Sequence, residues 1–272
     1  MFESARRTST GSLLFSFLAV TYHASVRKVR KTHNNAVVAI GMSLMQSVLF
    51  VAAFYLMFTI IGARTMAIRG DFMLYLLTGI FMYLVHIQAL QAVMSAENST
   101  SNMMQHAPMN TLVAILSSAI SVLYVKTISL LVILFVLHTL FTPIELYDWS
   151  SAMMMYLLAW ASGCAIGLIL MAMKPWAPDV VTIIQLVYVR ANMIASGKMF
   201  VANTLPGFML AMFDWNPLFH IIDQTRGFVF VNYFPHYSNW EYPLYATLGL
   251  VMLGMMAEFF TRKRASMSWD AR

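Results

Sequence analysis

Long apolar segments constrain this chain more than any other feature of its sequence. Six mainly apolar segments of roughly 20 residues or more are separated by charged or turn-rich breaks, and this is the length a helix needs to cross hydrocarbon. Only 10% of the residues are charged, against about 25% in an ordinary soluble domain. The sequence therefore predicts an all-α integral membrane protein with six spans: Val37 to Ile61, Phe72 to Met94, Leu112 to Leu140, Ser151 to Met173, Val180 to Met199 and Tyr242 to Phe260.

Basic residues concentrate near the two ends of the chain and indicate its orientation. If the amino terminus is cytoplasmic, the clusters Arg27–Lys31 and Arg262–Arg264 lie on the same side. The positive-inside rule then favours both termini in the cytoplasm, which requires an even number of crossings. Anionic lipid on that leaflet would attract the basic clusters, so we expect membrane lipid as their partner and no nucleic acid.

The amino-terminal apolar run, Gly11 to Tyr22, is interpreted as an interfacial amphipathic helix. A signal peptide is rejected because a basic cluster follows at once and no small-x-small cleavage site is visible. One transmembrane domain is expected over residues 1–272. It comprises an interfacial segment (1–35), a transmembrane region (36–262) and a cytoplasmic tail (263–272).

Two connections between spans have unusual composition. The polar stretch from Ser95 to Asn110 predicts a short cytoplasmic helix that ends at Pro108. The stretch 200–241 is rich in aromatic residues, too apolar for an exposed loop, and too broken by prolines to be one span. Short re-entrant helices that dip into the outer leaflet fit this external segment best.

Ionisable residues within apolar spans are candidates for function because charge at the bilayer centre costs about 2.5–3.5 kcal/mol on insertion scales. His86 could face a water-filled pathway or bond a neighbouring helix, and both readings stay open. Lys126 is expected to snorkel toward the cytoplasmic interface. Arg190 gives the fifth span a mixed face that favours a cavity over lipid.

Small residues in the fourth span predict close packing of helices. Gly163 and Gly167 form a Gly-x-x-x-Gly pattern, which lets two helix backbones approach one another. We expect this pattern to pack against another helix of the same chain and not to form a dimer interface.

Motifs for nucleotide hydrolysis and metal chemistry are absent from the sequence. A P-loop needs Gly-Lys followed by Ser or Thr, whereas Gly197-Lys198 is followed by Met199. No His-Glu-x-x-His pattern and no Cys/His/Asp cluster has metal-ligand spacing. The chain is therefore predicted not to be an enzyme, and no cofactor is expected.

A specific run of residues resembles a known family. Asn216-Pro-Leu-Phe-His-Ile-Ile-Asp-Gln-Thr-Arg226, preceded by Ser196-Gly197 and Leu205-Pro206, is similar to the external re-entrant region of type-2 ABC transporter permeases. Within that family the chain looks most like exporters of capsular polysaccharide and O-antigen. Those proteins usually carry Glu where this chain has Asp223.

The resemblance implies a homodimer bound to two copies of a separate ATP-hydrolysing subunit. ATP would be bound by that ATPase and not by this chain. Periplasmic export proteins are possible further partners, and the bacterial inner membrane is the implied location. The helix between the second and third spans would seat in the ATPase, which implies coupling residues Asn102, Met103, Met104, Gln105, His106 and Pro108.

The implied substrate is a capsular or related surface polysaccharide, carried on a lipid and moved from cytoplasm to periplasm. Sugar rings pack their C–H faces on aromatic planes, and their hydroxyls bond Asn, His and Arg side chains. Alternatives are an O-antigen, a teichoic acid or a small molecule as cargo, an ATP-independent transporter, or a membrane-embedded transferase with His86 or His220 as its base. The candidate pathway residues are Phe213, Trp215, Asn216, Phe219, His220, Arg226, Arg190 and His86.

Overall fold

The protein is helical throughout the part of the chain that the computed structural model describes, which is residues 10–33, 36–61, 68, 70–96, 110–141 and 143–270. These ranges contain nine α-helices, one short 3-10 helix and no strand. In chain order the α-helices are α1 Thr10–His33, α2 Ala36–Ile61, α3 Phe72–Met94, α4 Thr111–Leu140, α5 Trp149–Met173, α6 Pro178–Ala195, α7 Gly207–Phe213, α8 Pro217–Val229 and α9 Glu241–Asp270.

Five of these helices, α2, α3, α4, α5 and α9, are long and apolar enough to cross a membrane. The prediction of an all-α, multi-pass membrane protein is therefore confirmed. The fifth predicted span, Val180 to Met199, corresponds to α6, which has only 18 residues and is not among the five. At 1.5 Å per residue α6 is about 27 Å long, slightly less than the roughly 30 Å of a hydrocarbon core.

Short polar residues at the amino ends fix where several helices begin. Asp71 caps α3 by accepting a hydrogen bond from the backbone N–H of Met73 at 2.7 Å. Asp148 caps α5, and hydrogen bonds from Ser151 and Ser150 lower the pKa of this carboxyl to about 2. A side-chain oxygen at this position satisfies backbone N–H groups that have no partner within the helix.

Helix α3 is the centre of the bundle. In its apolar stretch 89% of the residues are buried, against 11% in α2 and in α4. Gly163 and Gly167 of α5 lie against its backbone, and a Cβ added at Gly167 would come within 2.6 Å of the Leu90 carbonyl oxygen. The Gly-x-x-x-Gly pattern thus packs within the chain, as the sequence predicted.

Helix α1 is longer than the predicted amphipathic segment and continues through the basic cluster to His33. Thr21 and Ser25 are buried, whereas Phe15 and Leu18 are exposed. Lys28 Nζ donates a hydrogen bond to the Ala114 carbonyl oxygen of α4 at 3.1 Å. Helix α1 therefore buries small polar side chains and bonds α4 through Lys28, while large apolar side chains such as Phe15 and Leu18 stay exposed.

Short, interrupted helices connect α6 to α9. A 3-10 helix, Ala202–Thr204, is followed by α7, by α8 and by irregular chain as far as Trp240. Pro217 occupies the first turn of α8, where its missing N–H removes no helical hydrogen bond. Helix α8 packs against α3, α5 and α9 and is buried on nearly all sides.

Candidate functional site

Asn216 joins the start of α8 to the end of α6. Its Oδ1 accepts a hydrogen bond from the backbone N–H of Leu218 at 3.1 Å and so caps α8. Its Nδ2 donates to Asn192 Oδ1 at 2.9 Å and to the Ala195 carbonyl oxygen at 3.1 Å. One buried amide therefore fixes the relative position of the two helix ends.

Arg226 fixes the turn that follows α6. Its guanidinium donates to the carbonyl oxygens of Gly197 at 2.9 Å, Phe200 at 2.6 Å and Lys198 at 2.9 Å, and it lies 4.3 Å from the ring centroid of Tyr75. The side chain is only 1% exposed. Carbonyl groups beyond a helix end have no helical partner, so a buried planar cation with several donors suits this place.

The turn itself explains why the predicted fifth span stops before Met199. Gly197 has φ +75°, in the left-handed region that glycine adopts without a steric penalty. The chain leaves α6 here and passes close to α3, where a Cβ added at Gly79 would be 2.9 Å from the Lys198 backbone. The predicted helical continuation through residues 196–199 is wrong for this reason.

His220 connects the two chain segments that flank α8. Its Nε2 lies 2.6 Å from the Asp214 carbonyl oxygen, and its Nδ1 accepts a hydrogen bond from the backbone N–H of Asn239 at 3.2 Å. Since a carbonyl can only accept and a backbone N–H can only donate, the ring carries its hydrogen on Nε2. Both ring nitrogens are used within the chain.

Asp223 fixes the irregular segment after α8. Its two carboxylate oxygens accept hydrogen bonds from the Tyr233 hydroxyl at 2.5 Å and from the Ser238 hydroxyl at 2.7 Å. Burial, and then the negative charge of Asp223, raise the pKa of the Tyr233 phenol. Both carboxylate oxygens of Asp223 are therefore bonded within the chain.

Two of the predicted pathway aromatics lie inside the protein. Phe213 and Phe219 are buried and pack with Phe200, with ring centroids 5.2 Å apart for Phe200 and Phe213 and 6.4 Å apart for Phe213 and Phe219. The three rings form a small core beneath α7 and α8. Their faces are occupied by one another.

Trp215 is the predicted pathway aromatic whose ring is available at the surface. It is 70% exposed, and its Nε1 donates to the Met212 carbonyl oxygen at 2.7 Å, which fixes the indole. The Trp215 carbonyl oxygen accepts a hydrogen bond from the Tyr242 hydroxyl at 2.6 Å. Other large aromatic side chains exposed in this region and the first turns of α9 are Phe208, Phe234, Tyr237, Trp240 and Tyr245.

His86 bonds neighbouring helices, one of the two readings its sequence position left open. Its Nδ1 lies 2.9 Å from Ser162 Oγ of α5 and its Nε2 lies 2.8 Å from the Tyr188 hydroxyl of α6. The residue is buried at the centre of α3. A polar chain therefore links α5, α3 and α6 at the middle of the bundle.

Arg190 lies on the exposed side of α6. Large apolar side chains on the same helix, including Leu186, Val187 and Ile194, are exposed as well. Helix α6 thus presents an outer surface that combines one cation with apolar groups.

Sequence reasoning missed the surroundings of two lysines. Lys198 is buried, with its Nζ 3.5 Å from the ring centroid of Tyr83 and 5.1 Å from those of Phe50 and Phe54. This is a cation–π arrangement, and no local sequence pattern predicts it. Lys126 does not snorkel as expected: it is 0% exposed and its Nζ donates to Ser47 Oγ at 3.1 Å.

The predicted coupling residues Asn102, Met103, Met104, Gln105, His106 and Pro108 lie outside the described residues. Across the ranges that are described, no group of three or more His, Cys, Asp and Glu side chains could hold a metal ion. The arrangement around α8 combines side chains that are bonded within the chain with an exposed aromatic surface.

Comparison with protein-family models and with curated protein sequences finds no match to this chain.

Proposed function

We propose that this chain is the membrane subunit of an ATP-driven exporter that moves a capsular or related surface polysaccharide, carried on a lipid, out of the bacterial cytoplasm. One observation carries the proposal. The polar side chains of the Asn216–Arg226 run fix an aromatic-rich segment across the bundle, while Trp215 keeps its ring exposed. An anchored segment with exposed aromatic rings is the kind of surface on which sugar rings stack.

A polymer must be held weakly at many points if it is to move. Exposed rings such as Trp215 and Tyr245 present planar faces that pack against sugar C–H groups. Because each ring buries only part of a sugar, several together retain the chain without one tight site. This supports a long glycan as cargo over a small compact molecule.

The topology that goes with this function has six crossings, with α6 as the fifth, and both termini in the cytoplasm. Helix α6 begins with Pro178 at its first position and carries Arg190 and Asn192 at its far end. It can be short because its far end joins the segment anchored by α8 and not an aqueous loop. Helix α1 then lies along the cytoplasmic leaflet of the inner membrane.

A second copy of the chain is proposed to cover the outer surface of α6. Arg190 would otherwise face lipid, which is unfavourable for a charged side chain within a membrane-crossing helix. The exposed apolar neighbours Leu186 and Val187 suit a helix-to-helix contact. A water-filled pathway between the two copies would hydrate the Arg190 guanidinium. The homodimer would therefore remove the cost of exposing this cation to lipid.

Energy is proposed to come from a separate ATPase, seated on the connection between α3 and α4. The test is to isolate the full chain in mild detergent from its native membrane and to assay for a co-purifying nucleotide-binding subunit and for ATP hydrolysis. A stable complex with two copies of each subunit is expected. Purified chain that binds no such subunit, yet moves glycan in liposomes with an ion gradient and no ATP, would contradict the proposal.

The dimer contact is tested by labelling single cysteines with a membrane-permeant maleimide in a Cys164→Ala background. Val187→Cys lies on the proposed contact, and Leu131→Cys, exposed on α4, is the matched control. We expect Val187→Cys to label more slowly than Leu131→Cys in dimeric protein only. Equal labelling rates at the two cysteines would show that α6 does not form the dimer contact.

A further inference from the structure

The turn between α5 and α6 is bonded to α9 through one tryptophan. Trp176 Nε1 donates a hydrogen bond to Thr261 Oγ1 at 3.1 Å, and Thr261 Oγ1 donates in turn to the Ala172 carbonyl oxygen of α5 at 3.0 Å. Thr261 is buried, whereas Trp176 is 57% exposed. The indole is therefore fixed at the surface, beside the ends of two helices of membrane-crossing length.

Arg264 lies over this indole. Its guanidinium carbon is 5.4 Å from the ring centroid of Trp176, a cation–π contact that orients the side chain and leaves its charge in place. Lys174, the C-cap of α5, is exposed two residues before Trp176. One fixed aromatic ring thus has a cation against it and a second cation close by in the same turn.

Neither cation is neutralised within the part of the chain that the structure describes. Lys174 and Arg264 have no ion pair there, and their side chains donate no hydrogen bond. The acidic residues closest along the chain are Asp179, in the first turn of α6, and Glu258 on α9, and they bond neither cation. The charge of this surface is therefore available to an anion from outside the chain.

The geometry of α9 separates the members of the basic cluster Arg262–Arg264. Successive residues of an α-helix are rotated by about 100°, so Arg262 and Arg264 point about 160° apart. Because Arg264 lies over Trp176, Arg262 projects from the other side of the helix. A helix with its side chains is about 10–12 Å wide, more than the screening length of about 8 Å at physiological ionic strength. An anion bound at Arg264 is therefore largely screened from Arg262.

An apolar strip of α9 leads from Arg264 toward the middle of the span. Phe260 lies four residues before Arg264, on the same face of the helix, and is 61% exposed. Met256 lies one turn further along this face and is also exposed. A molecule with its anionic group at Arg264 could therefore place an alkyl chain along Phe260 and Met256.

These features match an anionic phospholipid better than a free anion or an acidic protein. Aromatic side chains such as Trp are enriched at the level of lipid headgroups, and basic residues just beyond a span attract anionic lipid. A free phosphate would use the cations but not the apolar strip. An acidic protein segment would not follow α9 into the hydrocarbon. An amphiphile uses both surfaces.

We propose that Lys174, Trp176 and Arg264 form a binding site for the headgroup of an anionic phospholipid, the α5–α9 lipid site, with an acyl chain along Phe260. The Arg264 guanidinium donates to the phosphate, Lys174 adds a second positive charge, and Trp176 orients Arg264. Assignment of the site to the cytoplasmic leaflet rests on the proposed function, whereas the binding chemistry does not. A lipid bound here holds the end of α5 to α9.

The test is native mass spectrometry of the full chain in a neutral detergent at physiological ionic strength. The Kd of the first bound lipid is measured for dioleoyl phosphatidylglycerol and for dioleoyl phosphatidylcholine, which has the same chains and no net charge. Glycerol phosphate supplies the anion without chains. Arg264→Gln removes the proposed partner of the phosphate. Arg262→Gln, the matched control, removes the same charge from the other side of α9.

Phosphatidylglycerol is expected to bind more tightly than phosphatidylcholine and glycerol phosphate. Arg264→Gln should weaken phosphatidylglycerol binding about fivefold, the factor that corresponds to the attraction of one basic residue by anionic lipid. Lys174→Gln together with Arg264→Gln should weaken it about 25-fold. Trp176→Leu keeps both charges but no longer orients Arg264, so it should also weaken binding. Arg262→Gln should bind like the wild type.

Three results would overturn the proposal. Equal weakening by Arg262→Gln and Arg264→Gln would show general attraction by charge and no defined site. Equal affinity for phosphatidylglycerol and phosphatidylcholine, or for phosphatidylglycerol and glycerol phosphate, would exclude an anionic lipid as the specific ligand. Full phosphatidylglycerol affinity in the Lys174→Gln, Arg264→Gln double variant would exclude these cations.

The lipid measurement and the co-purification experiment can fail separately. Lipid binding needs no ATPase, so a chain that recruits none can still show the α5–α9 lipid site. A chain that binds phosphatidylglycerol no better than phosphatidylcholine can still be the membrane subunit of an exporter. Loss of a co-purifying ATPase in Arg264→Gln, with unchanged phosphatidylglycerol affinity, would instead make this surface a protein contact and overturn the lipid site.

Discussion

Replacing Arg226 with Met tests whether this side chain stabilises the turn after α6 or contacts the exported molecule directly. The guanidinium donates to three carbonyl oxygens of the turn after α6 and stacks on Tyr75, all inside the protein. Methionine fills a similar volume but donates no hydrogen bond. The carbonyl oxygens of Lys198 and Phe200 would then lose the guanidinium donor, whereas that of Gly197 keeps a long hydrogen bond from the Phe200 N–H at 3.4 Å.

The expected loss can be worked out from those contacts. A buried polar group without its partner costs about 1–3 kcal/mol, so two carbonyls give about 2–6 kcal/mol. Water penetration and local relaxation place the result near the lower limit, about 2–4 kcal/mol. Since 1.4 kcal/mol is a factor of ten, the ratio of folded to unfolded protein should fall on the order of 30-fold or more.

The assay is unfolding of the purified full chain in mixed micelles by an SDS titration, followed by tryptophan fluorescence. Arg226→Lys should lose less stability, because an ammonium keeps the charge but not the planar set of donors. Arg262→Met, at an exposed arginine of α9, is the matched control and should unfold like the wild type. If Arg226→Met stays within about 1 kcal/mol of the wild type and only export is lost, the anchoring argument is refuted.

Three further tests, two of them comparing a pair of variants, address other parts of the structure. Gly167→Val should reduce the yield of folded protein, because the new Cβ would meet the α3 backbone at 2.6 Å, whereas Gly249→Ala, with nothing within 4 Å, should not. Trp215→Ala should lower glycan export without changing stability, whereas Phe219→Ala should cost about 3–5 kcal/mol in an SDS titration, because its ring is buried. The raised pKa of Tyr233 adds stability that is complete below the ordinary phenol value of 10.0 and declines as the pH rises above it, so Tyr233→Phe should flatten the alkaline part of the stability curve.

Hydrophobic length and composition were enough to predict the main helices. Four of the five confirmed segments begin and end within a few residues of the predicted spans, because polar caps such as Asp71, Asn110 and Asp148 mark their starts. The carboxyl end of α9 continues past the predicted Phe260 to Asp270. Charged residues beyond a span do not stop a helix, so composition alone could not place that end.

The site was only partly predictable, because its partners are distant in sequence. The Asn216–Arg226 run was identified, but nothing local shows that Arg226 bonds carbonyl groups 26 to 29 residues earlier. Lys198 was considered as part of an incomplete P-loop pattern, whereas its aromatic neighbours come from α2 and α3. Contacts of this kind depend on the packing of whole helices, which one sequence without relatives does not reveal.

The same contacts indicate how motion in the bundle could reach the aromatic segment. Helix α6 is bonded to α3 through Tyr188 and His86, and to α8 through Asn192 and Asn216. A shift of α6 must therefore either carry the start of α8 with it or break a buried amide pair. Because Trp215 directly precedes Asn216, the N-cap of α8, a movement of α6 would also move the exposed indole. Helix α6, which is not among the five helices of membrane-crossing length and apolarity, is thus the element best placed to link a change at the proposed dimer contact to the surface proposed for glycan stacking.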